Sequence, residues 1–230
     1  MFTPLSLDDP FTRFLFVAAI ILMIGYGVGR WTNSQRAQKI SNWLEPGLRS
    51  LGGTPTVQKI SRSAFRFQML NARRPFQTVT TSVVLISREF LPTWLWEWLH
   101  SRNDLLVIHV TFRQPPSLEG EIVDPGNELG RRGEAQAKEQ NWLSVDIPPG
   151  SRLYYAPDTP PARLEAVAET VMSGPFNPWR VALRRHAPHM LLSMPMPDLD
   201  QTQSKQLASM LKKLSNLAHD SASDSEGGDR

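Results

Sequence analysis

Five histidines and no cysteine bound the side-chain chemistry open to this chain. A thiolate nucleophile and a cysteine-based zinc site are excluded outright. His186 and His189 stand three apart, a spacing at which two imidazoles can share a metal. Pro188 between them breaks helical geometry, however, and no carboxylate cluster adjoins them, so they read as ordinary surface histidines. His109 falls in a run of branched residues, on one side of an expected strand with Leu105 and Val107, and is expected to be a satisfied core or half-buried histidine rather than a catalytic one. Arg88, Glu89, Arg102 and Asp104 flank a tryptophan-rich segment and are expected to form ion pairs that hold its two connections. The chain contains no G-x-x-x-x-G-K-[ST] loop, no G-x-G-x-x-G after a strand, no H-E-x-x-H and no G-x-S-x-G. No catalytic, cofactor-binding or metal-ligating residue is therefore assigned, and no cofactor is implied.

The residues that suggest contact rather than catalysis are aromatic and basic. Trp94, Trp96 and Trp98 lie within five positions. On a helix over residues 92–100, with Pro92 in its first turn, Leu91, Trp94, Leu95, Trp98 and Leu99 share a face. Packing of Trp94 and Trp98 into a core is the simplest expectation. A membrane interface or a partner protein would suit the same residues, since tryptophan is enriched in both settings. Charge is uneven: residues 30–113 hold twelve Lys/Arg against four Asp/Glu, whereas residues 114–200 hold eight against twelve. Arg66, Arg73 and Arg74 belong to the basic half, and with Trp94, Trp96 and Trp98 they form the candidate interaction surface. Such a half suits anionic headgroups, at about 1 kcal/mol per well-placed charge. Solvated arginines on strand faces remain the simplest reading, and nucleic acid is not an expected partner.

The element that must position everything else is the apolar stretch at residues 14–28, FLFVAAIILMIGYGV. Extended to residues 11–31 it reaches the length of about 20 residues that a hydrocarbon core requires. Tyr26 and Trp31 stand toward its end, where amphipathic rings favour headgroups. A cleaved leader would want a basic start and an A-x-A-like site, and the start MFTPLSLDDP offers neither. Arg30, Arg36 and Lys39 follow the span and only Arg13 precedes it, which places the C-terminal part in the cytoplasm and residues 1–10 outside. Gly25 and Gly29 have the G-x-x-x-G spacing of a helix–helix contact.

Beyond the anchor, residues 32–55 are expected to form a juxtamembrane helix and turn, with Pro46 and Gly47 kinking or ending the helix. Residues 56–219 read as one α+β domain with short strands and about four helices. Strands are expected near residues 57–60, 65–70, 78–86 and 105–112, the third buried on both faces at its end. A strand–helix–strand order around the tryptophan segment suits either a βαβ crossover or an α+β layer. Residues 114–140, with Pro115-Pro116 and Pro125-Gly126, read as a loose loop with a short helix at most. Strands follow at 142–147 and 152–156. A helix opens after Thr159 as N-cap and buries Leu164, Val167, Ala168 and Val171. Two further strands near 179–183 and 190–194 precede a final amphipathic helix from about residue 200. The tail 220–230 is expected to be disordered.

The order of several blocks resembles the calumin family of single-pass, translocon-associated proteins of the endoplasmic reticulum. These are GVGRWTNSQRAQ at the end of the anchor, LRSLGG after the next helix, VVLISREF, DLLVIHVTF, and MLLSMPMP before the last helix. The family's acidic N-terminal segment and basic coiled-coil tail have no counterpart in the chain, so no calcium or ribosome role is carried over, nor any functional residue. The resemblance implies a role in membrane-protein biogenesis through protein contacts. The expected function is that of a single-pass membrane-anchored interaction protein, with the lipid bilayer and a membrane-associated protein as partners. The alternatives are a membrane-tethered enzyme or small-ligand domain, its site assembled from Arg88, Glu89, Asp104 and His109, or a peripheral anionic-lipid-binding domain.

Overall fold

Apolar residues that recur at every second position, as in Ala64–Leu70 and Leu105–Phe112, set those segments as strands with one buried side. The computed structural model describes residues 10–99, 102–148 and 150–219, apart from the side chains of Leu91 and Trp98. The expected tail, most of the expected outer segment and the side chain of Trp98 thus lie outside the described residues. The element order begins with α1 (Pro10–Ser50), β1 (Thr56–Lys59), β2 (Ala64–Leu70), β3 (Phe76–Val84), α2 (Leu91–Leu99) and β4 (Leu105–Phe112). It continues with β5 (Gly120–Val123), α3 (Glu128–Glu139), β6 (Leu143–Ile147), β7 (Ser151–Tyr155), α4 (Pro161–Met172), β8 (Arg180–Leu183), β9 (Met190–Pro195) and α5 (Ser204–His219). The fold is mixed α+β, as expected.

The described strands form one nine-stranded sheet in the order β1-β2-β3-β4-β9-β8-β5-β7-β6, with every neighbouring pair antiparallel. Because β3 pairs directly and antiparallel with β4, the βαβ alternative is ruled out and the α+β layer stands. The end of β3 is not buried on both faces either: Val84 is exposed. Residues 114–140 are not a loose loop. They supply β5, all four of whose residues are buried at the middle of one half of the sheet, and the twelve-residue α3.

The chain divides into two compact units, one formed by residues up to Ser41 with Leu85–Asn103, the other by Asn42–Val84 and the described residues from Asp104 on. In the second unit, residues paired across strands share a face, and the register separates an oily face from a polar one. Phe67, Thr81, Ile108, Leu192, Val181, Ile122 and Leu153 form one continuous row of directly paired, buried residues. Leu44, Leu48 and Leu51 from the end of α1 meet Leu207, Ala208 and Leu211 of α5 over Ile108 on that side. Trp43 Nε1 donates to the Thr202 carbonyl at 2.8 Å, and Lys212 Nζ donates to the Ser50 carbonyl at 3.0 Å. The helix runs unbroken past Pro46, and the next N–H, that of Gly47, donates to Ser204 Oγ at 3.0 Å. A proline in a helix interior removes one rung of the ladder; here the polar contact with α5 holds the segment in place.

Helix α4 buries the expected Leu164, Val167, Ala168 and Val171. Its N-cap is Pro160, without a side-chain hydrogen bond, and the Thr159 hydroxyl instead accepts from the Glu119 N–H at 3.3 Å. His189, expected at the surface, is buried. Its ring stacks on Phe112 at 5.9 Å and its Nδ1 accepts from the Phe112 N–H at 2.9 Å.

In the first unit, α1 carries an apolar stretch long enough to cross a membrane, with none of that stretch buried. Its side chains from Phe11 to Trp31 are largely exposed.

Candidate interaction sites

The polar face of the sheet in the second unit is built by the row one residue out of step with the core. Thr80, His109, Leu191, Ala182, Glu121 and Tyr154 are paired in turn across β3, β4, β9, β8, β5 and β7. Helix α3 covers the β5–β7 end of this face, where Ala137 packs with Val123, Tyr154 and Trp142. Asn127 caps α3 by accepting from the Gly130 N–H at 2.8 Å. Gly133 lets the helix come down on the sheet, since a Cβ there would overlap the Glu121 carboxylate. Glu134 ties α3 to β7: its Oε1 accepts from Tyr154 Oη and Arg152 at 3.0 Å each, and from Lys138 at 2.7 Å. The Lys138 hydrogen bond is the main cause that holds this carboxyl below the usual range.

Beneath α3 lies a charge triad. The Glu121 side chain is fully buried, with one carboxylate oxygen accepting from Arg180 Nε and the other from the Arg184 guanidinium. Arg180 also donates to Gln136 Oε1 at 2.7 Å, and Arg184 lies over the Trp142 ring at 4.3 Å. One buried negative charge thus fixes two guanidinium groups whose outer edges face a groove of about 510 Å³. His109, Gln140, Trp142 and His186 also line it, together with the Glu119 carboxylate and several apolar side chains. His109 sits half-buried beside Leu105 and Val107, as expected, and its pKa is held below the ordinary value first by burial and then by the Arg66 charge. Fixed guanidinium edges, amides and imidazoles offer hydrogen-bond donors there, the chemistry that receives carboxylates and peptide carbonyls.

The basic residues singled out from the sequence fall in two places. Arg66 is half-buried on the polar face, where its Nε donates to Ser82 Oγ at 3.4 Å. It begins the register row Arg66, Ser82, Val107, Ser193, Arg180, which crosses four strand spacings, about 19 Å. Arg73 and Arg74 sit instead in the β2–β3 connection. Arg73 lies against Gly52, whose φ is +84°, and Arg74 lines a separate cavity of about 400 Å³ with Arg113 and His219. Glu121, Arg180, Arg184 and Gln136 escaped the sequence reading, because nothing local announces a triad whose members lie up to 63 positions apart.

In the first unit, Trp94 and Trp96 are exposed, so the expectation that Trp94 packs inward is overturned. At Gly29 a Cβ would overlap the Arg88 carbonyl, so the close approach there is made by the Arg88–Glu89 backbone of the same chain; Gly25 is half-buried. Arg88 donates to Asn33 Oδ1 at 2.8 Å and Asn33 Nδ2 donates to the Ile86 carbonyl at 3.2 Å. Arg102 stands 4.0 Å from Glu97. Arg88 and Glu89 belong to this unit, whereas Asp104 and His109 belong to the other. No group of three or more potential metal ligands occurs among the described residues.

Comparison with protein-family models and with curated proteins finds no match to this chain.

Proposed function

We propose that the chain is a single-pass membrane-anchored interaction protein whose α+β part, on the cytoplasmic side, binds an acidic, extended segment of a membrane-associated protein. The observation that carries this reading is the open groove beside α3, where buried Glu121 orders Arg180 and Arg184, which line it together with amide and imidazole side chains. Anchoring is supported by the unburied apolar stretch of α1 and by the unbroken course of that helix to Ser50. The excess of Arg30, Arg36 and Lys39 over Arg13 supports the cytoplasmic placement. The resemblance to calumin supports a role in assisting membrane-protein biogenesis or complex assembly.

The test is photo-crosslinking in native membranes from reactive groups placed at Gln140 and at Arg66. A reproducible protein adduct at Gln140 is expected, and His186→Glu, which places a negative charge at the exposed rim, is expected to abolish it. Adducts to lipid alone, or a protein adduct indifferent to His186→Glu, would contradict the proposal.

A further inference from the structure

Phe90, Trp94, Leu95, Trp96 and Leu99 are between 37% and 64% exposed on α2 and its preceding residue, beside exposed Pro92 and Thr93. So many large apolar side chains exposed on one short helix mark a contact with protein or membrane. The one charged residue of α2, Glu97, turns back to its own loop, where it accepts from the Ser87 N–H at 3.2 Å and meets Arg102. Nine residues make a helix of about 13 Å, far too short to span a bilayer.

The position of α2 along the anchor is set by three contacts within the same unit. The Arg88–Glu89 backbone packs on Gly29, Arg88 donates to Asn33, and Asn33 donates to the carbonyl of Ile86. Gly29 and Asn33 bracket the end of the apolar stretch, next to Trp31. Leu91 follows Arg88 by three residues, so α2 begins within about 10 Å of that level. The start of α2 therefore lies near the level at which the apolar stretch of α1 ends.

We infer that α2 is a second membrane contact, a helix that lies in the headgroup and acyl boundary of the leaflet where the apolar stretch of α1 ends. The occupant of its exposed face is lipid. Tryptophan suits that depth because its ring is apolar and its N–H reaches water or headgroup oxygens. Gly29 and Asn33 thereby act as a lock that fixes how far α2 sinks. This inference rests on the reading of α1 as a membrane anchor.

The chain lacks cysteine, so single cysteines can be labelled with a nitroxide without background. The full chain is reconstituted into vesicles of phosphatidylcholine and phosphatidylglycerol, with labels at Leu95→Cys, Leu99→Cys, Ile21→Cys and Gln58→Cys. Depth is read from collision with oxygen against a water-soluble nickel complex. The label at 21 is expected in the hydrocarbon, those at 95 and 99 about 5–10 Å into the boundary, and that at 58 in water. A deep label at 21 with labels at 95 and 99 in water overturns this inference and leaves the anchor intact. Labels at 95 and 99 shielded from both reagents indicate a protein contact and also overturn it. A label at 21 in water removes the anchor reading and this inference with it.

Discussion

Replacing Glu121 by glutamine tests whether the buried triad organises the sheet domain. In the native protein the carboxylate is fully buried between guanidinium groups that are 13% and 15% exposed. The substitution keeps the shape and one carbonyl acceptor but removes the neutralising charge from both arginines. Removing one partner of a buried ion pair costs about 3–5 kcal/mol. Arg180 keeps Gln136, and Arg184 keeps the Trp142 face. The loss therefore belongs at the lower end, about 3 kcal/mol. With a urea slope of about 2 kcal/mol/M, the midpoint falls by about 1.5 M. The assay is urea unfolding of the full chain in detergent micelles, followed by far-ultraviolet circular dichroism. Glu139→Gln, on the exposed surface at the end of α3, serves as the charge-matched control and stays within about 0.5 kcal/mol. A shift for Glu121→Gln below about 0.3 M, or one equal to that of the control, would refute the reasoning.

In the same assay Gly133→Ala loses about 1–3 kcal/mol, because its Cβ overlaps the Glu121 carboxylate and crowds Arg180 and Val123, while Gly27→Ala, with open space around it, leaves the midpoint unchanged. Acid weakens the sheet domain through two histidines whose pKa values lie below the ordinary 6.5, His189 by burial and then the charges of His219 and His186, His109 by burial and then Arg66. The unfolded chain takes up these protons more readily, so the contribution is complete above about pH 6.5 and is lost as pH falls below it. His189→Asn, which keeps an acceptor for the Phe112 N–H without titrating, flattens the fall in urea midpoint between neutral and mildly acidic buffer. An unchanged slope would remove His189 from the account.

Where burial follows from local pattern, the sequence was readable. The alternation in Leu105–Phe112 places His109 half-buried and Ile108 in the core, and the spacing in α4 and α5 places their inward faces. Where burial follows from remote partners, it was not. GEIV is short and contains a glycine and a charge, so β5 looked like loop, and Glu121 can be buried only because Arg180 and Arg184 arrive from distant positions. Helix α3 was half-hidden because Gly130 and Gly133 lower helix propensity, while close packing demands at least Gly133. His189 looked exposed because its neighbours His186, Ala187 and Pro188 are, and the ring's partner, Phe112, lies 77 positions away. For α2 the helix and its oily residues were evident. Whether such a face meets core or membrane depends on what surrounds it, which periodicity does not encode.

The central claim is that α1 tethers the sheet domain to the cytoplasmic side of a membrane, and labelling of a single cysteine tests it most directly. Intact cells carrying Gln68→Cys, on the exposed polar side of β2, are treated with a membrane-impermeant maleimide, then lysed and their membranes washed at alkaline pH. The account predicts that the protein stays in the washed membranes and is labelled only when the reagent is added after lysis. Release into the wash would contradict the tether, and labelling of intact cells would contradict the orientation.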